Sequence, residues 1–214
     1  MGAPTAVPVG DAPATLGGLL DRYPVLAPPV SSAGAAVTLV LREGEREVET
    51  LLIVRASNPD DPASGQVGLP GGHVSESDGS LASTALRELE EEVGLSLGDL
   101  TGPPRFVGLA PAPRFGLTVG VFAAALGPVG RPPNARDPSE VAHVFWLARS
   151  SLSETRRVVR DTHLGPYEVH ATVAQGEVLW GFTRRVLRDF FGYPTDEILA
   201  GPAPPRRSAG PPPF

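Results

Sequence analysis

The chain has 214 residues, enough for one well-buried core with tails and too few for two ordinary enzyme domains. Its net charge of −6 offers no long-range attraction to a phosphate polymer or an anionic bilayer, so neither a nucleic-acid polymer nor a membrane is an expected partner. It contains no cysteine, which excludes disulfides, thiolate nucleophiles and zinc–thiolate centres.

Residues 1–34 are rich in Pro, Ala and Gly and read as an N-terminal arm, with one short helix around Leu16 to Tyr23. They lack a basic stretch followed by an apolar run, so no secretory signal is expected and the cytoplasm is the default location. The folded unit is expected over residues 35–195. It opens with a hairpin, Ala35 to Leu41 and Thr50 to Arg55, joined by the charged run REGEREVE. A Gly- and Pro-rich loop from Asn58 to Gly72 leads to a helix spanning Leu81 to Val93, with Asp78 or Ser80 as its N-cap and Gly94 as its stop. Strands follow near Arg105 to Ala110, Leu117 to Leu126 and Val141 to Leu147, and a closing helix runs from Trp180 to Phe191. The tail, residues 196–214, is too Pro-rich to build a core and is expected to be disordered. Strands outnumber helices and no repeat is visible, which predicts an α+β or α/β sandwich with mixed strand pairing.

Chemistry concentrates at the Leu81–Val93 helix. At about 3.6 residues per turn, Glu88, Glu91 and Glu92 fall within roughly a 100° arc while Glu90 points elsewhere. Like charges at such spacing cost an isolated helix about 0.2–0.5 kcal/mol per pair, a penalty that a hard cation would reverse. Carboxylates with water suit magnesium or manganese better than zinc. The competing reading is a solvated acidic face, which is what most Glu runs are. Against it stand the glycine pair Gly71–Gly72 upstream, Arg87 one turn before Glu91 where it can hold that carboxylate, and Gly94 at the helix end. The two glycines let the backbone approach a ligand closely, and the Gly72 carbonyl is a further candidate metal ligand. Leu86, Leu89 and Val93 form another stripe that anchors the helix on a sheet.

The segment from Gly72 to Leu95 resembles the Nudix box, G-x5-E-x7-R-E-U-x-E-E-x-G-U with U aliphatic. From Arg87 to Leu95 every position agrees. Asp78 stands where the box has its first Glu, with one additional residue before Arg87. An Asp at that longer spacing, with Pro70 to Gly72, Thr84–Ala85 and Arg87–Glu88, is similar to the coenzyme A diphosphatase branch. Leu51–Leu52 with Arg55, Gly65–Gln66–Val67, the Ser139–Leu147 segment and the run from Leu179 to Phe191 extend the similarity over most of residues 35–192. The sequence departs from that branch in having no arginine between Ala56 and Gly65 and in carrying Leu69 where Phe is usual.

The resemblance implies the Nudix fold, a mixed sheet between helices in an αβα sandwich, and a possible homodimer. It also implies a metal-dependent hydrolase, with Mg2+ or Mn2+ held by Glu88, Glu91, Glu92 and Gly72, acting on a small diphosphate substrate. Coenzyme A or an acyl derivative leads; ADP-ribose, a dinucleotide or a nucleotide sugar is the alternative. A non-catalytic nucleotide-sensing domain is the reading from another class, disfavoured because such domains usually lose box carboxylates. Glu91 or Glu140 is the candidate proton acceptor, although Glu140 is as readily a surface acid. Arg55 and Arg114 are candidate phosphate contacts, or else structural ion-pair partners. His73, His143, His163 and His170 show no metal-ligand spacing.

Overall fold

The computed structural model describes residues 15–58, 63–162 and 165–194, with the side chains of Arg114 and of 159–162 and 165–167 outside that description. The Pro-rich tail and His163 lie outside the described residues.

The elements run in the order α1 (Leu16–Leu20), β1 (Ala35–Glu43), β2 (Val48–Arg55), β3 (Val67–Gly68), β4 (Gly71–His73) and α2 (Leu81–Val93). They continue with β5 (Arg105–Ala112), β6 (Leu117–Ala125), β7 (Val141–Ala148), β8 (Arg156–Thr162), β9 (Gly165–Ala174), β10 (Glu177–Trp180) and α3 (Gly181–Phe191). The hairpin β1–β2 forms as its apolar runs and charged turn predict. β1 also pairs in parallel with β6 over Ala35 to Leu41, a pairing that requires a long crossover, and α2 lies within that crossover. The result is a mixed seven-stranded sheet of order β3-β2-β1-β6-β5, with β4 added to β1 and β7 to β2.

Both faces of this sheet are covered, which is why β1 and β2 are nearly continuous apolar runs rather than alternating ones. Leu39 and Leu41 of β1 and Leu52 and Val54 of β2 turn to one side, against α1 and α3. Val40, Leu51 and Ile53 turn to the other, against Leu89 and Val93 of α2. Ala36 and Phe122 extend that second layer beneath Leu81 and Ala85. The expected αβα sandwich is therefore the observed architecture.

Residues 15–34, grouped with the arm by composition, are packed onto the domain. Leu16, Leu19 and Leu20 of α1 are buried in the main core. Tyr23 stacks on Phe190 of α3 with ring centroids 5.5 Å apart. Burial of three leucines on one short turn outweighs the loop-like composition around them. Residues 148–180, where the sequence pattern predicts no element before the start of the closing helix, hold a separate antiparallel sheet of order β10-β9-β8.

Candidate active site

The site begins at β4, a three-residue strand inside what reads as a Gly- and Pro-rich loop. Ladder bonds from Thr38 N to Pro70 O (2.9 Å) and from Val74 N to Gly34 O (3.1 Å) flank the Ala36–Gly72 pair. By strand alternation they direct the backbone groups of Gly72 toward β1 and those of Gly71 and His73 toward α2. Gly71 N donates to Glu92 Oε2 at 2.8 Å and His73 O accepts from Arg87 Nη2 at 2.9 Å. The Gly72 carbonyl expected as a ligand is thereby placed on the β1 side. What Gly72 supplies is space, because a Cβ there would lie 2.7 Å from Glu88 Oε2. Gly71, at φ +149°, lies so close to β1 that a Cβ would come within 2.6 Å of the Val37 Cα.

α2 starts at Ser80, whose hydroxyl accepts from Ser83 N, and ends at Gly94 in the left-handed region at φ 72°. Asp78, the other candidate cap, is used differently. Its carboxylate accepts from Ser75 N (2.8 Å), Thr84 Oγ1 (2.9 Å) and both Nε (3.2 Å) and Nη2 (3.0 Å) of Arg87. The Arg87 hydrogen bonds hold its pKa down at about 2, with the Ser75 and Thr84 donors adding to them against the opposing effect of burial. Arg87 Nη1 donates at 2.8 Å to both Glu88 Oε1 and Glu91 Oε2, and its own pKa is raised by Asp78 first and by the two glutamates after it. One guanidinium thus fixes three carboxylates and a strand carbonyl.

Glu92 is treated otherwise. It is 4% exposed, takes the single amide bond from Gly71, and is pushed up to about 7. Burial is the main cause; Glu88 and Glu140 add to it, while Gly71 N and Arg55 oppose it. Glu88, half-buried, is raised by burial as well, against the pull of Arg87 and with Glu91 and Glu140 adding to the rise. Glu140 is exposed at the foot of β7, yet within electrostatic range of both. Its carbonyl accepts from Ala56 N at 2.8 Å, beside Arg55. A register shift pairs Val54 with His143 and Arg55 with Val141, so two β7 residues oppose one at the point where Arg55 and Glu140 meet the site.

Among the described residues no three acidic or imidazole groups converge as a ready-made cation cage. The expected patch of three carboxylates is one helix face, but Arg87 draws Glu88 and Glu91 to itself while Glu92 sits deeper, at Gly71. The donor chemistry still fits a hard divalent cation: a buried carboxylate with one amide partner, a second half-buried carboxylate, and a third acid, Glu140, within electrostatic range of both, all of them oxygen donors. Glu90 is exposed and apart from this group, as its helical phase predicts. The side chain of Arg114 falls outside the described residues. His73 is exposed, His170 half-buried, and His143 pairs with Glu177 at 3.3 Å.

One polar centre escaped the sequence reading. Asp99 accepts from Ser96 N (2.9 Å) and Ser96 Oγ (2.7 Å), and from N (3.1 Å), Nε (3.3 Å) and Nη2 (3.1 Å) of Arg131. The Ser96-x-x-Asp99 spacing of a capping box was its only sequence signal.

A NUDIX domain model matches residues 32–166. The chain is similar to the uncharacterized Nudix hydrolase NudL of Yersinia enterocolitica serotype O:8 / biotype 1B, at 30% identity over 155 residues, 67% of this chain and 73% of that protein. It is also similar to NudL of Yersinia pestis (strain Pestoides F), at 32% identity over 148 residues, 67% of this chain and 71% of that protein. In fold it resembles a NUDIX hydrolase from Alicyclobacillus acidocaldarius, with a TM-score of 0.50, 20% identity, and 77% of this chain and 93% of that chain covered. A MutT/nudix family protein from Enterococcus faecalis matches with a TM-score of 0.50 and 18% identity over 82% of this chain and 68% of that one. A matched domain of that extent, on a fold whose crossover helix carries the box, shows what the protein is: the chain belongs to the NUDIX family and is a hydrolase of phosphorus-containing anhydrides.

Proposed function

We propose that the protein is a divalent-metal-dependent diphosphatase whose substrate is coenzyme A or an acyl-coenzyme A. The observation that carries the metal-dependent part is the buried Glu92 carboxylate beside Glu88, with Glu140 and Arg55 in electrostatic reach. Glu88, Glu91 and Glu92 are the residues that would hold Mg2+ or Mn2+, with the Gly71 carbonyl a better candidate than that of Gly72, since strand alternation turns the Gly71 backbone groups away from β1. A cation bound by these residues would supply charge to neutralise the diphosphate and to acidify a water. Arg87 keeps the Glu88 and Glu91 carboxylates oriented, and Asp78, Thr84 and Ser75 keep Arg87 in place. Glu140 is favoured over Glu91 as the proton acceptor, because a Glu91 oxygen is already engaged by Arg87. The attacking water forms a bond to phosphorus, the bridging P–O bond breaks, and the water's proton passes to that carboxylate. Arg55 is the candidate contact for a phosphate oxygen.

The coenzyme A assignment rests on the Asp78 spacing, Thr84–Ala85 and the Leu179–Phe191 run. The structure supplies a physical reason for the Asp and the Thr in that pattern, because Thr84 donates to Asp78 and both serve Arg87. The absence of arginine between Ala56 and Gly65 favours the second reading, ADP-ribose, a dinucleotide or a nucleotide sugar, since a 3′-phosphate would ordinarily be met by a cation. One experiment separates them. The purified protein is incubated with magnesium or manganese and coenzyme A, ADP-ribose, NADH, a diadenosine polyphosphate or a nucleotide sugar, and products are identified by mass. Release of adenosine 3′,5′-bisphosphate and phosphopantetheine, abolished by chelator and restored by either metal, is the expected result. Cleavage of ADP-ribose with coenzyme A untouched would replace the leading substrate, and full activity in chelator would remove the metal.

A further inference from the structure

Glu140 stands at the end of a long excursion, residues 127–140, that leaves β6 and runs back over the C-terminal end of α2. A free loop of this length would hold no carboxylate in a fixed place. This one is tied at successive points. Gly127 N donates to Asp99 O at 2.7 Å, and the Asp99 carboxylate then takes the backbone amide and the guanidinium fork of Arg131. Asn134 N donates to Val93 O (3.2 Å) and Arg136 N to Glu92 O (3.0 Å), so the excursion occupies carbonyls that the last turn of α2 leaves unpaired. Asp137 closes a turn, accepting from Ser139 N (2.8 Å) and Ser139 Oγ (2.6 Å) while its carbonyl accepts from Glu140 N and Val141 N. Finally Ala56 N grips Glu140 O.

The route also explains Gly94 beyond its φ value. A Cβ at that position would meet Arg136 Cδ at 3.1 Å and Asn134 Oδ1 at 3.3 Å, so the helix stop leaves room for the segment that crosses it.

We infer that Asp99 and Arg131 are positioning residues for hydrolysis, clamping the 127–140 segment as a strap that docks on α2 and fixes Glu140 relative to Glu88 and Glu92. The clamp differs from an ordinary surface ion pair. Arg131 is largely exposed, but the Asp99 side chain is only 10% exposed and receives a two-nitrogen fork plus the amide of the same residue. Its purpose rests on the reading of Glu140 as proton acceptor.

Hydrogen exchange on the metal-free protein tests the strap without reference to turnover. Arg131→Ala should raise exchange at the amides of Asn134, Arg136 and Ala56 by tenfold or more, with the β1 and β6 amides unchanged, and Asp99→Asn should do the same. A change confined to the neighbourhood of residue 131 would overturn the strap. Activity then tests its purpose through a double-mutant cycle. Misplacing a reacting group by about 1 Å costs up to roughly a hundredfold, so Arg131→Ala should lower kcat tenfold or more with KM little changed. Arg131→Lys should recover part of the loss, and adding Arg131→Ala to Glu140→Gln should cost less than twofold. Equal losses in both backgrounds would overturn the positioning role alone. Full activity in Glu140→Gln would instead remove Glu140 as acceptor, leaving the exchange result standing as a structural property of the loop.

Discussion

The two faces of the sheet bury apolar side chains in the same way but handle charge in opposite ways. On the α3 face the buried ionic groups among the described residues are cations used as struts: Arg184 donates to the hydroxyls of Thr172 and Thr155, and Arg188 to the carbonyls of Leu152 and Pro194. On the α2 face the guanidinium of Arg87 is an organiser of acids, and beside it Glu92 is buried with one amide for a partner. A charge buried with little compensation costs stability. The α3 face directs its cations to neutral oxygens that need donors, whereas the α2 face gathers more carboxylate than Arg87 alone neutralises. The contrast predicts which substitutions separate activity from stability.

The largest effect is expected on the α2 face. Glu92→Gln keeps an acceptor for Gly71 N but removes the charge that a cation needs, and Glu88→Gln does the same from the half-buried position. Each should reduce turnover by about 10³-fold, equivalent to about 4 kcal/mol in the barrier. Because Glu92→Gln also removes a buried charge, its Tm in chelator should equal or exceed that of the parent. A variant that lost activity together with several degrees of Tm would show that Glu92 holds the fold rather than a metal.

The α3 face should give the mirror image on a smaller scale. Arg188→Ala leaves the carbonyls of Leu152 and Pro194 without that donor and should cost about 1–3 kcal/mol in urea unfolding. Its kcat/KM should stay within twofold of the parent, since α3 packs against the sheet from the side opposite α2. Loss of turnover without loss of stability would break the division of labour between the two faces.

How far this was visible beforehand varies with the kind of information involved. α2 runs from Leu81 to Val93 as read from the sequence, because the apolar stripe, the cap and the glycine stop agree with one another. β1, β2, β6 and β7 were legible for a related reason, their apolar runs being long enough to override short-range ambiguity. β4 was not legible, since Pro70 and two glycines read as a turn and only pairing with β1 makes them a strand. The polar and charged residues of β8 and β9 likewise conceal a sheet whose order is set by long-range partners. At the site, the box spacing placed Arg87 against Glu91, a contact local to one helix. It did not reveal that Glu88 would also be drawn to Arg87, that Glu92 would meet Gly71 rather than the other two acids, or that the Gly72 backbone would face β1. Each of those depends on how β4 lies against α2, which no periodicity encodes.

The smallest effect sharpens the same contrast through pH. Asp78 is held at about 2 from an ordinary 3.8, mainly by the hydrogen bonds from Arg87. A depressed folded-state value means that the carboxylate contributes stability above pH 3.8 and loses it as pH falls toward 2, because the unfolded chain takes up the proton first. Asp78→Asn should therefore be less stable than the parent at neutral pH, with the difference closing between about pH 4 and pH 2. Chemical unfolding of both proteins across that range measures the gap directly. Convergence would identify Asp78 as the acid whose charge is fully used within the protein, in contrast to Glu92, whose burial works against its charged form. Parallel curves would mean that Arg87 is held by the geometry of its other partners, His73 O, Glu88 and Glu91, and that the Asp at this position serves shape rather than charge.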